Sequence, residues 1–264
     1  MEIKEVKIGF VGYGNMAQAM ASGWVNKGSI QPGQIYATAR NQEKLVKNCE
    51  ILGVHAVEFT EDLVDKVDVV ILAVKPYQIK DVVEPVREKL QEKIILSVAA
   101  GFTYEMYKEI LLEGSAHVST IPNTPVSISE GIIVLEKTHS LSNEEYTLVF
   151  DLLSELGLVQ PVETEQLDVG GTLAGCGPAF ASMFIEALAD GAVKYGLSRD
   201  EAYKLASQMI VGTGKMQLET NAHPGVMKDQ VTSPGGTTIK GVAALEENGF
   251  RSAVIQAFDA IEGR

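Results

Sequence analysis

This chain is poor in basic residues, cysteine, tryptophan and histidine. Lys and Arg number 22 against 35 Asp and Glu in 264 residues, a net charge of −13 with a pI near 4.8. A nucleic-acid surface needs clustered Lys and Arg to neutralise phosphates, so the balance argues against that partner. Cys49 and Cys176 make neither a disulfide framework nor a C-x-x-C pair, which suits a reducing cytoplasm. His55, His117, His139 and His223 keep no zinc-ligand spacing with each other or with cysteine, so no metal site is expected. No G-x-S-x-G nucleophile elbow occurs, and the many carboxylates read as solvated helix faces. The N-terminus is charged and carries no apolar signal core. Val169 to Ile185 is uncharged over 17 residues but contains Gly170, Gly171, Gly175, Gly177 and Pro178. It reads as buried protein, and no membrane partner is expected.

What is present is a regular alternation of short apolar runs and helical patterns. Val6 to Val11 is followed by Gly12-Tyr13-Gly14-Asn15-Met16-Ala17 and then a helical pattern through Trp24 and Val25. Strand, glycine turn and helix are the context in which G-x-G-x-x-A predicts dinucleotide binding. Gly12 permits the sharp turn, Gly14 lets backbone approach a pyrophosphate, and Ala17 lets the helix pack on the strand.

Further strands are expected at Ile35–Ala39, Asp68–Val74, Ile94–Val98, His117–Ile121, Gly131–Leu135 and Leu158–Gln160. Helices are expected at Gln42–Leu52 and Tyr77–Leu90, the latter kinked or broken at Pro85. Ser142 and Glu145 form a capping box for another, and Pro122-Asn123-Thr124-Pro125 forces an irregular loop. Beyond Glu163 only helical segments appear: Pro178–Tyr195, Ser198–Leu218, Pro234–Glu247 and Phe250–Ile261. The expected architecture is α/β: a Rossmann-type doubly wound sheet over residues 1–162, then an all-helical domain over 163–264.

Strand two ends Thr38-Ala39-Arg40-Asn41 with no acid for a ribose 2′-hydroxyl; Arg40 is available for a 2′-phosphate or stands as a solvated residue. That leans toward NADPH over NADH. In a doubly wound sheet ligands lie outside the carboxyl ends of the strands. The cofactor candidates are therefore Gly12 to Ala17, Arg40, Ala73-Val74-Lys75-Pro76 and Ala99-Ala100-Gly101, with Ala99 and Ala100 the floor under a nicotinamide. Lys75 reads equally as a phosphate or ribose contact and as a solvated lysine. Near the far end, Ser233 can cap a helix with Pro234 in its first turn, and Gly235 and Gly236 follow inside that turn. Glycines there cost about 1 kcal/mol each, which is accepted where an anion approaches the free N–H groups. A tight inter-helix turn explains the same residues.

Taken in order, Gly12–Ala17, Ala73–Pro76, Ser97-Val98-Ala99-Ala100-Gly101, Pro122–Pro125, Ala174-Gly175-Cys176-Gly177-Pro178-Ala179 and Ser233–Thr238 resemble the pyrroline-5-carboxylate reductases. Val98 and Cys176 are mild departures. The resemblance implies hydride transfer from NAD(P)H to the C=N carbon of 1-pyrroline-5-carboxylate, giving L-proline. It implies a substrate site at the helical signature: backbone N–H groups of Gly236 and Thr237 for the carboxylate, hydroxyls of Ser233 and Thr238, with Gly235 and Asn123 beside them. The resemblance implies that Thr238 faces the ring nitrogen, as the one catalytic candidate, with either its hydroxyl or water as the proton donor. The helical domain is implied to be of the 6-phosphogluconate-dehydrogenase type, forming an intertwined homodimer that can assemble into a decamer. β-Hydroxyacid dehydrogenases share the layout but need a catalytic lysine where this chain has Ala181. A non-catalytic nucleotide-responsive regulator would be expected to erode Ser233–Thr238, which is intact.

Overall fold

The computed structural model describes residues 3–263. Eight strands form one sheet: β1 (Ile8–Val11), β2 (Ile35–Thr38), β3 (His55–Ala56), β4 (Val69–Leu72), β5 (Ile94–Ser97), β6 (Ala116–Pro122), β7 (Gly131–Glu136) and β8 (Gly157–Val162). Their order is β3-β2-β1-β4-β5-β6-β7-β8. The first six are parallel, β7 runs antiparallel to β6, and β8 pairs parallel to β7. This is the doubly wound order extended at one edge, and it reverses between β1 and β4, where ligands bind in such sheets. The continuous apolar runs of β1, β4 and β5 are buried on both faces, as a covered parallel sheet requires.

The covering helices are α1 (Asn15–Lys27), α2 (Gln42–Leu52), α3 (Thr60–Val64), α4 (Ile79–Val83), α5 (Arg87–Leu90), α6 (Tyr104–Lys108) and α7 (Asn143–Ser154). Pro85 breaks the expected Tyr77–Leu90 helix, leaving α4 and α5 joined by a 3-10 turn at Glu84–Val86. Ser142 and Glu145 make the capping box of α7. Trp24 of α1 is fully buried, and its indole N–H donates to the Leu152 carbonyl of α7 at 2.8 Å. A Cβ on Gly23 would run into the Val126 carbonyl, so glycine is required where α1 crosses the Thr124–Ile128 turn.

The remaining helices are α8 (Leu167–Lys194), α9 (Arg199–Thr220), α10 (Pro224–Gln230), α11 (Thr237–Glu247) and α12 (Phe250–Glu262). Sequence reading misses α3, α6 and α10, short segments whose apolar periodicity covers too few turns. It also starts α8 at Pro178, whereas the helix begins at Leu167 and holds Pro178 inside. The chain divides into two compact units, Met1–Gly175 and Cys176–Arg264. The first turns of α8 belong to the sheet: Leu167 and Ala174 are buried with Ile121 and Val134, against which Gly170 and Gly171 pack.

Within the second unit Phe180 and Phe184 of α8 meet Phe258 and Phe250 of α12, with ring centroids 6.3 and 5.6 Å apart. Yet Ala189, Ala202, Ala206 and Met227 are its only buried apolar residues among those described. The expectation that Val169–Ile185 is buried therefore fails for the single chain. Thr164–Lys194 is long and apolar enough by length and composition to cross a membrane, at mean hydropathy 1.3, and 17 % of that window is buried.

Candidate functional site

At the carboxyl end of β1 the backbone turns through Gly12 at φ 93°, where its N–H donates to the Thr38 carbonyl at 2.9 Å. A Cβ on Gly12 would sit 2.7 Å from the Ala73 carbonyl, so β1 and the end of β4 touch at the switch point and glycine is obligatory. Gly14 is the N-cap of α1 and supplies no side-chain cap. The first intrahelical bond runs from Gln18 N–H to the Gly14 carbonyl, leaving the Asn15, Met16 and Ala17 N–H groups for a ligand. Open space surrounds Gly14, so an anion has room to reach them. Ala17 is buried against the sheet, as the fingerprint requires. Tyr13 turns away into the core, 4 % exposed, beside Phe10; burial raises its phenol pKa, and its hydroxyl has no hydrogen-bond partner among the described residues.

Beyond β2, the Asn41 side chain caps α2 by accepting from the Lys44 N–H at 2.9 Å. Gln42 donates to the Ala39 and Glu58 carbonyls, fixing this turn. Arg40 is exposed and enters none of the described ion pairs. At the end of β4, Ala73 and Val74 are half-buried, and Lys75 and Pro76 are exposed at the start of a 3-10 turn. Ala99 is buried after β5, whereas Ala100 and Gly101 face solvent, with Gly101 at φ 74°.

The loop after β5 rests on a buried polar network that sequence reading does not find. Ser97 Oγ lies 2.7 Å from the Tyr107 hydroxyl and accepts from the Ala99 N–H. Ser119 donates to the Phe102 carbonyl, and Thr120 to that of Ser97. Glu136, completely buried at the end of β7, accepts from the Tyr104 N–H and the Thr164 hydroxyl, both at 2.8 Å. The expectation that carboxylates are solvated fails there. Its only sequence cue is a place at the end of an apolar strand. His117 stacks on Tyr104 at 4.5 Å and 3°, and its Nε2 meets the Tyr104 carbonyl; burial lowers its pKa, so the ring stays neutral.

The signature turn belongs to the second unit and corrects the reading of its helix start. Gly235, at φ 69°, follows Pro234 in a tight turn closed by the Gly236 N–H on the Ser233 carbonyl at 3.0 Å. Gly236 is the N-cap of α11, which begins at Thr237, so Ser233 is no cap and neither glycine lies in the first helical turn. The Gly236 N–H is spent on the turn and is not offered to a ligand. The free donors are the N–H groups of Thr237, Thr238 and Ile239, and no side chain caps them. A Cβ on Gly236 would run into Ser233 Oγ. Ser233, Thr237 and Thr238 are all exposed in the single chain.

Asn123 is 4 % exposed, and its amide is committed to backbone: Nδ2 donates to the Ala174 carbonyl at 3.0 Å and Oδ1 accepts from the Ile132 N–H at 2.8 Å. Within the first unit it clamps the loop after β6 to α8 and β7.

Residues 164–264 match the model for pyrroline-5-carboxylate reductase dimerisation, and residues 7–101 that for NADP oxidoreductase coenzyme F420-dependent. The pyrroline-5-carboxylate reductase of Treponema pallidum is 42 % identical, the alignment covering 97 % of this chain and 98 % of that protein. This chain belongs to the pyrroline-5-carboxylate reductase family. The Escherichia coli member is 35 % identical over 96 % of this chain and 94 % of its own length. Among solved structures, the Coxiella burnetii reductase superposes with a TM-score of 0.85 at 34 % identity, covering 97 % of this chain and 95 % of that one. The Plasmodium falciparum enzyme, solved with NADP bound, gives 0.86 at 27 % identity with the same coverages.

Proposed function

We propose that this chain reduces 1-pyrroline-5-carboxylate to L-proline with NADPH. The single observation that carries the reading is family membership along nearly the whole chain. The crevice fits the cofactor, because Gly14 stands in open space at an uncapped helix start. When bound, the reduced nicotinamide supplies the hydride that adds to the C=N carbon. Asn15, Met16 and Ala17 N–H groups hold the pyrophosphate, and Arg40 takes the 2′-phosphate. The loop Ala73–Pro76 borders the ribose, and Ala99 to Gly101, braced by Ser97 and Tyr107, floor the nicotinamide.

For the imine, the Thr237, Thr238 and Ile239 N–H groups receive the carboxylate, with the Ser233 hydroxyl and the Gly235 turn bordering it. Thr238 presents its hydroxyl to the ring nitrogen. A protonated imine is already electrophilic, so positioning supplies most of the catalysis and no strong acid–base side chain is needed. The active protein is a homodimer through residues 163–264, with a decamer as its higher assembly; the uncovered helices of the second unit support this. A cytoplasmic setting is part of the same proposal, since Cys49 and Cys176 are both free.

The test is a cofactor-oxidation assay with 1-pyrroline-5-carboxylate, run in parallel with NADPH and NADH and followed by proline analysis. Oxidation strictly dependent on the imine, with proline accumulating in step, is the expected result. Tight cofactor binding without turnover would overturn it in favour of a regulator.

A further inference from the structure

Helix α8 carries a contradiction at Pro178. A proline inside a helix has no N–H for the carbonyl four residues earlier, here that of Ala174. Ala174 is 1 % exposed, so water does not reach this carbonyl freely, and an unmade buried hydrogen bond is costly. The helix nevertheless continues unbroken from Leu167 to Lys194. The missing donor comes from another element: Asn123 Nδ2, in the loop at the carboxyl end of β6, donates to the Ala174 carbonyl at 3.0 Å. The other end of the same amide accepts from the Ile132 N–H of β7, which fixes its orientation. Asparagine suits the position because one short side chain must donate on one side and accept on the other.

The place of this bond gives it consequence. The chain passes from the first compact unit to the second at Gly175 and Cys176, directly after the clamped carbonyl. A Cβ at Gly175 or Gly177 would meet nothing within 4 Å, so flanking side chains do not brace this turn. We propose that Asn123 is a positioning residue: by replacing the donor that Pro178 lacks, it sets the stiffness of α8 where the chain leaves the nucleotide unit. The residues proposed for the imine lie on helices that follow this turn, so loosening it loosens the scaffold that holds that reactant. Misplacement of about 1 Å can cost a hundred-fold in rate.

The experiment is a double-mutant cycle between Asn123→Asp and Pro178→Ala. Aspartate keeps the acceptor for Ile132 and removes the donor to Ala174; alanine at 178 returns a helical N–H to the same carbonyl. Asn123→Asp alone is expected to lower kcat by about ten-fold or more while the KM for NADPH moves little. Backbone hydrogen exchange over residues 170–182 should rise with it. In the Pro178→Ala background the same substitution should change both readouts several-fold less, the cost of the new buried carboxylate being common to both backgrounds. Equal losses in both backgrounds overturn the proposal and leave Asn123 acting on a ligand or through Ile132 alone. An Asn123→Asp enzyme with normal kcat and exchange overturns it too. If Asn123→Asp fails to fold alone, recovery with Pro178→Ala supports the inference and failure there refutes it. The exchange readout stands even if the proposed substrate were wrong; only the kinetic readout rests on it.

Discussion

The two compact units differ in how much of their own apolar surface they bury. In the first, both faces of the sheet carry closed clusters, one around Phe10, Trp24, Ile71 and Leu152, the other around Leu63, Val70, Ile95 and Tyr107. In the second, Met183 is 68 % exposed, Leu205 62 % and Leu218 67 %, against four buried apolar residues among those described, three of them alanine. Each helix of the second unit is nonetheless well formed, with Ser198 and Glu201 boxing the start of α9. Local structure is thus specified equally in both units, whereas tertiary completeness is specified in only one. Apolar surface left open on so many helices is surface meant for cover.

The largest expected effect is the one that breaks this comparison at its weak side. Met183→Glu with Leu205→Glu places two charges on exposed apolar positions of α8 and α9. If a second copy covers them, each should cost association about 2 kcal/mol or more. Light scattering at micromolar protein would then show a dimer, or a multiple of it, falling to monomer with loss of turnover. An unchanged assembly would mean that these residues face solvent in the active enzyme. The single tryptophan, Trp24, lies in the first unit, so its fluorescence should report unchanged unfolding there.

A smaller pair of effects separates the units by ligand. Arg40→Ala should weaken NADPH by roughly 1.5–3 kcal/mol, the value of a charge-assisted contact, and leave NADH nearly untouched. Thr238→Ala, in the second unit, should cost about 1–3 kcal/mol in kcat/KM for the imine while nucleotide affinity holds. Steady-state kinetics with both cofactors checks the two together. Equal loss of both cofactors in the Arg40 variant would return that residue to the solvated surface.

The same contrast explains what was legible beforehand. Strands β1, β4 and β5 and the fingerprint Gly12–Ala17 follow from local pattern, because apolar runs and glycine turns act on their own neighbours. The start of α8 does not, since Pro178 argues for a boundary, whereas the carbonyl it leaves without a helical donor is met by Asn123, far away in sequence. At the signature turn local chemistry permits Ser233 as a cap, yet Ser233 closes the Pro234–Gly235 turn and the helix starts at Thr237. Glu136 was invisible for a related reason. A carboxylate can be buried only where Tyr104 and Thr164 converge on it, and no spacing announces that.

Acid should find a weak point in the first unit. Desolvation of His117 outweighs the pull of Glu105 and of the Tyr104 carbonyl, so its folded pKa lies below the ordinary 6.5. The unfolded chain then binds more protons than the folded one in that interval, and stability rises with pH. The unfolding midpoint read by Trp24 fluorescence should fall as pH drops below 6.5 and level off below the folded pKa. His117→Gln should flatten the profile. An equally steep profile in that variant would assign the acid response to other groups.

The smallest effect is expected at Tyr13, where the first unit is complete in packing but not in hydrogen bonding. Its ring is buried beside Phe10, with centroids 5.9 Å apart, and its hydroxyl has no partner among the described residues. A buried hydroxyl without a partner carries a desolvation cost that nothing returns, whereas the ring fills space that phenylalanine fills equally well. Tyr13→Phe should therefore be neutral or raise stability by up to about 1 kcal/mol, with KM for the cofactor unchanged because the side chain points away from the crevice. Thermal unfolding by tryptophan fluorescence, paired with cofactor titration, measures both. A loss of more than about 1 kcal/mol would show that the hydroxyl binds a buried water worth keeping.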